Sequence, residues 1–256
     1  MIIKEENSFN EVENDSAQIS IVIATYNAAK YLQKCLNSIY NQQYKGINII
    51  VIDGKSTDGT VKILRDNTER IHFWLSEKDS GIYNALNKGL KYVKGNWVYF
   101  LGSDDELLPD FSKLALELAD SNTIYYSNVI HKGMKRPGRV SNYYMAKVGI
   151  YHQAIIYPVA VFKKYQYTLK YKIAADYALN MGCFKDKAFR FEYKEYVITQ
   201  YNHTGISSIE IDMPFEKDKS TLILENFGLT IWLQFMFRQF KKVFYGPLKN
   251  LLSKAG

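Results

Sequence analysis

The chain has 256 residues, a net charge of +7 and 47% hydrophobic residues, ordinary for a globular protein and long enough for one large α/β domain with or without an appendage. Two cysteines, Cys35 and Cys183, supply neither a disulfide framework nor metal-ligand spacing and fit a reducing compartment. No run reaches the ~20 apolar residues that span a bilayer; five basic residues and no acid lie between Asn226 and Gly256, so the rest nets +7 − 5 = +2, and a nucleic-acid groove across the body is excluded.

The opening stretch, MIIKEENSFNEVENDSAQ, is acidic and polar and lacks the apolar centre of a signal peptide. It reads as a flexible lead, residues 1–17, to a cytoplasmic protein. Ile19–Ala24 of QISIVIATYN reads as a buried strand ending at Thr25-Tyr26-Asn27, and Tyr31, Leu32, Cys35, Leu36, Ile39 and Tyr40 then recur at helical spacing. INIIVID is a second strand. It runs into VIDGKSTDGT, whose Gly-Lys-Ser ends like a phosphate-cradling P-loop; that loop needs a further glycine where Ile49 stands, and a branched side chain there blocks the wrap. Ser56, Thr57 and Asp58 offer capping groups to a helix through TVKILRDN. IHFWLS is a third strand, and GIYNALNKGLKYV places Ile82, Ala85, Leu86 and Leu90 on one helical face. WVYFLGSDD is a fourth strand ending in acids, PDFSKLALELAD a helix opened by proline, and TIYYSNV a fifth strand.

Strands alternating with helices predict a mostly parallel, Rossmann-like sheet with helices on both faces. Ligands of such sheets bind at the carboxyl ends of the strands, where Thr25-Tyr26-Asn27, Asp53 to Asp58 and Ser103-Asp104-Asp105 all fall. Beyond about residue 130, HKGMKRPGRVSNYYM reads as a basic loop and YHQAIIYPVAVFKKY contains a short apolar strand. YKIAADYALNMGCF is a helix with Asp176 near its start, and FRFEYKEYVITQY alternates like an exposed strand.

Adjacent carboxylates at a strand end repel one another unless a cation or hydrogen-bond donors intervene. Asp104 and Asp105 suit Mg²⁺ or Mn²⁺ with phosphate oxygens completing the shell; the plainer reading is a solvated turn. Asp53 can accept hydrogen bonds from a nucleobase N–H or ribose hydroxyls; the plainer reading is an Asx-type turn, which suits Ser56 and Asp58 better than Asp53.

SIVIATYNAAKYLQKCLNSI, VIDGKSTDGT, SEKDSGIYNALNKGL and VYFLGSDDELLPD together resemble the ordered motifs of family 2 inverting glycosyltransferases, most closely bacterial enzymes of capsule, O-antigen or exopolysaccharide assembly. The resemblance covers residues 18 to about 208 and implies the nucleotide-sugar-binding GT-A fold over residues 18–215, with residues 216–256 a basic, aromatic helical tail. It implies that Thr25 and Asn27 line the nucleotide pocket, with Asp53 against the base or ribose. Asp79 approaches the base, Asp104 contacts ribose, and Asp105 holds the metal that bridges the two phosphates. Lys88 is expected to neutralise phosphate, though a solvated helix lysine is the plainer reading. KIAADYALNMG resembles the segment carrying the catalytic base, which makes Asp176 the candidate; many relatives have two adjacent acids where this chain has Ala175-Asp176. His152-Gln153 resembles a pair near acceptor and diphosphate, and Gly205–Ser208 a segment that closes over the donor.

The activity implied is metal-dependent, inverting transfer of a sugar from a nucleoside diphosphate donor, with UDP the expected nucleotide, to a glycan or lipid-linked acceptor. A sugar-nucleotide nucleotidyltransferase would need a glycine-rich basic loop where ATYNAAKY has no glycine, and no G-x-G-x-x-G follows any strand. A membrane-bound scaffold that binds nucleotide without turnover is the non-enzymatic alternative. In the tail, Arg238, Lys241, Lys242 and Lys249 lie close to one helical face and Leu233, Phe237, Phe240 and Phe244 towards another. That pattern suits the inner face of an anionic membrane; a helix docked on the domain or in a homodimer interface is the plainer reading.

Overall fold

The computed structural model describes residues 2–3, 19–202 and 210–252. Most of the N-terminal lead and the whole of Gly205–Ser208 lie outside the described residues.

Strand–helix alternation runs as expected through β1 (Ile2–Ile3), β2 (Ile19–Thr25), α1 (Leu32–Tyr40), β3 (Ile47–Asp53), α2 (Thr60–Asp66), β4 (Phe73–Ser76), α3 (Ile82–Gly89) and β5 (Trp97–Gly102). Then come β6 (Glu106–Leu107), α4 (Asp110–Ala115), β7 (Thr123–His131), β8 (Met134–Arg136), α5 (Asn142–Lys147), β9 (Ile155–Pro158), α6 (Val159–Lys164), α7 (Ala175–Lys185), β10 (Arg190–Tyr201) and α8 (Met213–Leu252). The sheet order is β1-β4-β3-β2-β5-β9-β7-β10-β6, with β8 paired to β7. Strands β4, β3, β2 and β5 are mutually parallel. β9 then runs antiparallel to both β5 and β7, and β10 runs parallel to β7. The sheet is therefore mixed, yet the reversal at β9 leaves β7 and β10 pointing the same way as β2–β5. Six strands end on one edge.

The central strands are apolar on both faces because both are covered. Ile21, Ile23, Val51 and Leu101 pack with Cys35 and Leu36 of α1. Val22, Ile50, Ile52 and Phe100 pack on the opposite face with Ala85 and Leu86 of α3 and Ala175 and Leu179 of α7. Helix α3 lies so close to the sheet that a Cβ on Gly89 would sit 2.5 Å from Val22 Cγ1 and 3.3 Å from Ile52 Cγ1. Both neighbours are β-branched and rotamer-locked in buried strands. Gly89→Ala is expected to destabilise the fold by about 1–3 kcal/mol, the usual cost of overpacking. A urea midpoint at or above that of wild type would refute it.

Two expectations are corrected. HKGMKRPGRVSNYYM is not a plain loop. Lys132 (φ 50°) and Gly133 (φ 74°) make the tight turn into β8. Ser141 then caps α5 by accepting the Tyr144 N–H, and α5 buries Met145 and Ala146. β10 is not an exposed strand: it lies between β7 and β6, and Ile198 and Thr199 are fully buried. Phe191, Tyr193 and Tyr201 pack against one core cluster and Tyr196 and Ile198 against the other, so both faces of the strand are at least partly covered.

Helix α8 starts at Met213 and breaks at Gly228. No described helix is long and apolar enough to cross a membrane.

Candidate active site

The shared edge brings distant residues onto one rung. Thr25 pairs with Asp53 across β2–β3, Asp53 with Ser76 across β3–β4, and Ala24 with Gly102 across β2–β5. Asp53 and the Asp104-Asp105 turn thus sit two strands apart on the same side of the molecule.

Asp53 is fully buried. Its Oδ2 accepts the Ser56 N–H at 2.9 Å and the Ser76 hydroxyl at 2.6 Å, and its Oδ1 accepts the Ser56 hydroxyl. The plainer Asx-type reading thus applies to Asp53 itself, which folds the 53–58 turn around its own carboxylate. Asn27 clasps that turn from β2 in the left-handed conformation (φ 49°) that asparagine tolerates. Its N–H donates to Ser56 Oγ at 2.7 Å and its Oδ1 accepts the Thr57 N–H at 2.9 Å. Asp58 ties in the next turn by accepting the Ala29 N–H at 2.9 Å. A Cβ on Gly54 would meet Asp79 Oδ2 at 2.9 Å and the Tyr26 ring at 3.3 Å, so Asp79 lies directly against the turn. Asp79 Oδ1 also accepts the Gly81 N–H at 2.9 Å at the start of α3. Beneath this frame, Thr25 Oγ1 is buried with no hydrogen-bond partner among the described residues.

On the neighbouring strand, the Asp105 N–H donates to Gly102 O at 3.1 Å, closing a tight turn. A Cβ on Gly102 would lie 2.5 Å from Asp105 Oδ2 and 3.1 Å from Asp104 Oδ1; both carboxylates fold back over a position where only glycine fits. Asp105 is fully buried. Its Oδ1 accepts the Asn202 N–H at 2.7 Å, while Oδ2 has no partner among the described residues. Burial raises the Asp105 carboxyl from 3.8 to about 7; the Asn202 N–H and the Gln153 side chain pull the other way, and the Asp104 charge adds to the rise. Cys35 sits below, its Sγ 3.4 Å from Gly102 O, and burial followed by the charges of Asp105 and Asp104 holds its thiol well above the usual range. No group of three His, Cys, Asp or Glu side chains converges as a metal cluster among the described residues. A buried, unpartnered carboxylate oxygen with a second carboxylate beside it still fits a hard divalent ion that takes its other ligands from phosphate and water.

Asp176 lies in the first turn of α7. The Tyr83 hydroxyl of α3 is 2.6 Å from Asp176 Oδ1 and 2.6 Å from Ile173 O. Burial, then the Asp176 charge, pushes the Tyr83 phenol well above its usual range, so it stays a donor. Asp212 braces the same loop, its Oδ2 accepting the Ile173 N–H at 2.8 Å and the Ala174 N–H at 3.1 Å. His152 links the two sides. Its ring stacks on Phe100 of β5 at 4.9 Å, its Nε2 is 2.9 Å from the Tyr167 hydroxyl, and Gln153 beside it reaches Asp105. Burial lowers the His152 imidazole, opposed by the Asp176 charge, so the ring is neutral near pH 7.

Of the residues expected from sequence, Thr25, Asn27, Asp53, Asp79, Asp104 and Asp105 converge on this edge, and Asp176 and His152 adjoin it through α3 and β5. Lys88 adjoins the Asp79 loop, its Nζ lying 2.7 Å from Glu77 Oε1 and donating to Lys78 O at 3.1 Å. Ser76, Tyr83, Asn202 and Asp212 were not anticipated. Ser76 could have been, as the polar end of a third parallel strand; the hold of Asp212 on the Asp176 loop could not, since Ala174 and Ile173 lie 38 and 39 residues away.

Residues 20–196 match the profile of glycosyl transferase family 2. A PGL/p-HBAD biosynthesis glycosyltransferase of Mycobacterium bovis (strain BCG / Pasteur 1173P2) is 31% identical over 210 residues, covering 77% of this chain and 82% of that protein. Among solved structures, S. aureus TarS 1–349 in complex with UDP-GlcNAc superposes with a TM-score of 0.67 at 19% identity, covering 89% of this chain and 73% of that one, or 66% of it in the complex with UDP. The mannosyltransferase PcManGT from Pyrobaculum calidifontis, in complex with GDP-Man and Mn²⁺, superposes with a TM-score of 0.61 at 15% identity over 86% of this chain and 74% of that one. At these identities the two structures speak for the fold alone. The family profile runs from β2 into β10 and takes in every site residue expected from sequence, from Thr25 to Asp176: the chain belongs to glycosyl transferase family 2, enzymes of GT-A fold that transfer sugar from a nucleotide-sugar donor.

Proposed function

We propose that the chain is a metal-dependent, inverting transferase that moves a sugar from a nucleoside diphosphate, UDP being the expected nucleotide, to a glycan or lipid-linked acceptor in cell-surface polysaccharide assembly. The observation that carries this reading is the shared edge, where the Asp53 turn ends two strands away from the buried Asp105 carboxylate, whose Oδ2 has no partner among the described residues. The relatives' names support the setting: one acts in PGL/p-HBAD biosynthesis, and one solved neighbour holds UDP-GlcNAc. Two buried free cysteines suit the reducing cytoplasm, where we place the enzyme.

The nucleoside rests on the rim that the Asp53 turn and Asp79 form together, with Asn27 beside it and Thr25 Oγ1 beneath. Asp53 contributes chiefly by holding the turn in shape; the Glu77–Lys88 pair secures the Lys78–Asp79 loop beside it. Asp104 lies at the ribose. Asp105 would hold Mg²⁺ or Mn²⁺, which when bound offsets the charge of the departing diphosphate. Asp176, oriented through Oδ1 by the Tyr83 hydroxyl, takes the proton from the acceptor hydroxyl at Oδ2. The acceptor oxygen bonds to the anomeric carbon as the bond to the diphosphate oxygen breaks, and that electron pair leaves with the nucleotide. One displacement inverts the centre. Neutral His152 lies between base and leaving group as a hydrogen-bonding partner for acceptor or diphosphate.

A thermal-shift panel of nucleoside diphosphates with and without Mn²⁺ tests the reading. UDP at about 100 times its Kd stabilises by about 2.7 kcal/mol, a rise of roughly 5–10 °C in a chain of this size. The rise is expected with Mn²⁺ present and is expected to collapse on chelation. No rise with any diphosphate would overturn the donor assignment.

A further inference from the structure

The Gly228 break in α8 is a reversal. The Trp232 indole N–H donates to Ser220 Oγ at 3.0 Å, and the Ser220 hydroxyl donates to Met236 Sδ at 3.4 Å. In one straight helix, residues 220 and 236 would be about 24 Å apart. Gly228, at φ 80°, takes the left-handed conformation that a side chain would resist. The first arm, to Phe227, packs on the body: Phe215 lies 4.9 Å from the Tyr177 ring, Ile223 is fully buried, and Phe227 stacks on Phe184 of α7 at 4.5 Å. The second arm leans on the first through half-buried Ile231 and Trp232 and buried Phe235.

That inward stripe already secures the arm, yet the outward face is apolar too. Leu229, Leu233 and Phe237, at i, i+4 and i+8, are 60%, 52% and 62% exposed. Cations border the stripe. Lys241 Nζ sits 4.6 Å from the Phe237 ring centroid, Arg238 is exposed, and no acid occurs from Asn226 to the end of the sequence. Two such arms laid face to face would oppose Arg238 and Lys241 with like charges and no carboxylate between them. An apolar stripe edged by cations with apolar stems matches acyl chains below and anionic headgroups above.

We infer that the second arm of α8 docks on a bilayer surface carrying anionic lipid. The first arm is tied to the catalytic loop, since Asp212 accepts the Phe215 N–H at 3.3 Å at the start of α8 and the Ile173 and Ala174 N–H groups ahead of Asp176, and the second arm is tied to the first through Ser220. Docking therefore fixes the attitude of that loop to the lipid surface. The inference does not depend on which sugar or nucleotide the site takes.

Co-sedimentation of the full chain with phosphatidylcholine vesicles containing about one-third phosphatidylglycerol tests it. Binding is expected to be strong at low salt, weak to pure phosphatidylcholine, and reduced at about 0.5 M NaCl, where the Debye length is a few ångströms. Leu233→Ser and Phe237→Ser are each expected to lower partitioning on the order of tenfold, and Arg238→Glu with Lys241→Glu to abolish the preference for anionic vesicles. Unchanged thermal midpoints show that each variant is folded. Wild-type chain that stays in the supernatant, partitioning indifferent to Leu233→Ser, or a solution dimer that Phe237→Ser converts to monomer without any vesicle binding by wild type would each overturn the inference.

Discussion

Asp105→Asn is expected to lower sugar transfer by about 10²- to 10³-fold, the cost of removing one preorganised electrostatic contact at a departing charge, while making the metal-free protein more stable. The two effects share one cause. Burial holds the Asp105 carboxyl at about 7 rather than 3.8. Between those values the folded state keeps a proton that the unfolded chain has released. Stability of the metal-free wild type therefore falls as pH rises from about 4 to about 7, and the full penalty persists above that. With about 1.4 kcal/mol per pH unit, it amounts to at most about 4 kcal/mol. The amide of the variant carries no such charge, and its carbonyl oxygen can still accept the Asn202 N–H. Urea denaturation at pH 5 and pH 8 in the presence of chelator reads the difference: wild type loses stability between the two, the variant holds, and Mn²⁺ narrows the gap at pH 8 for wild type alone. Identical pH slopes for the two proteins would remove Asp105 as a strained, cation-seeking group.

The legible part of this site was the part built from strand ends. Apolar runs such as INIIVID and WVYFL declared buried parallel strands, and their polar termini marked the edge, because parallel neighbours must end together. What sequence could not supply was the destination of each carboxylate. Asp53 and Asp105 look alike on paper, each an acid closing an apolar run. In the fold, Asp53 collects Ser56 and Ser76 as donors, whereas Asp105 is left with one oxygen unpartnered among the described residues. The difference comes from a serine ending β4 and a backbone N–H at Asn202, 97 residues away. The second half was harder for the same reason. β9 runs against its neighbours, β10 is inserted rather than exposed, and α5 and β8 depend on a turn of one lysine and one glycine that composition reads as a basic loop. The helical periodicity of the tail was visible, but its reversal was not, because Gly228 in a helical pattern signals a weak point without saying which way the chain leaves it.

Asp176→Asn is expected to reduce transfer by about 10²- to 10⁴-fold, the usual contribution of a positioned base, while the Mn²⁺-dependent thermal response to UDP remains at wild-type size. The separation follows from geometry. Asp176 is held by Tyr83 of α3 and by the loop that Asp212 braces. The nucleoside frame is a different set of contacts, the Asp53 turn clasped by Asn27 with Asp79 laid against it. An amide at residue 176 can still accept from Tyr83 at 2.6 Å, so the fold and the base's orientation survive and only the capacity to take a proton is lost. Ala175 on one side leaves no adjacent carboxylate to substitute, so the loss should not be buffered. Initial rates with saturating donor, set beside the thermal response of the same preparation, check both halves. Transfer near the wild-type rate would dismiss Asp176 as the base; loss of the UDP response together with activity would mean that it acts in donor binding instead.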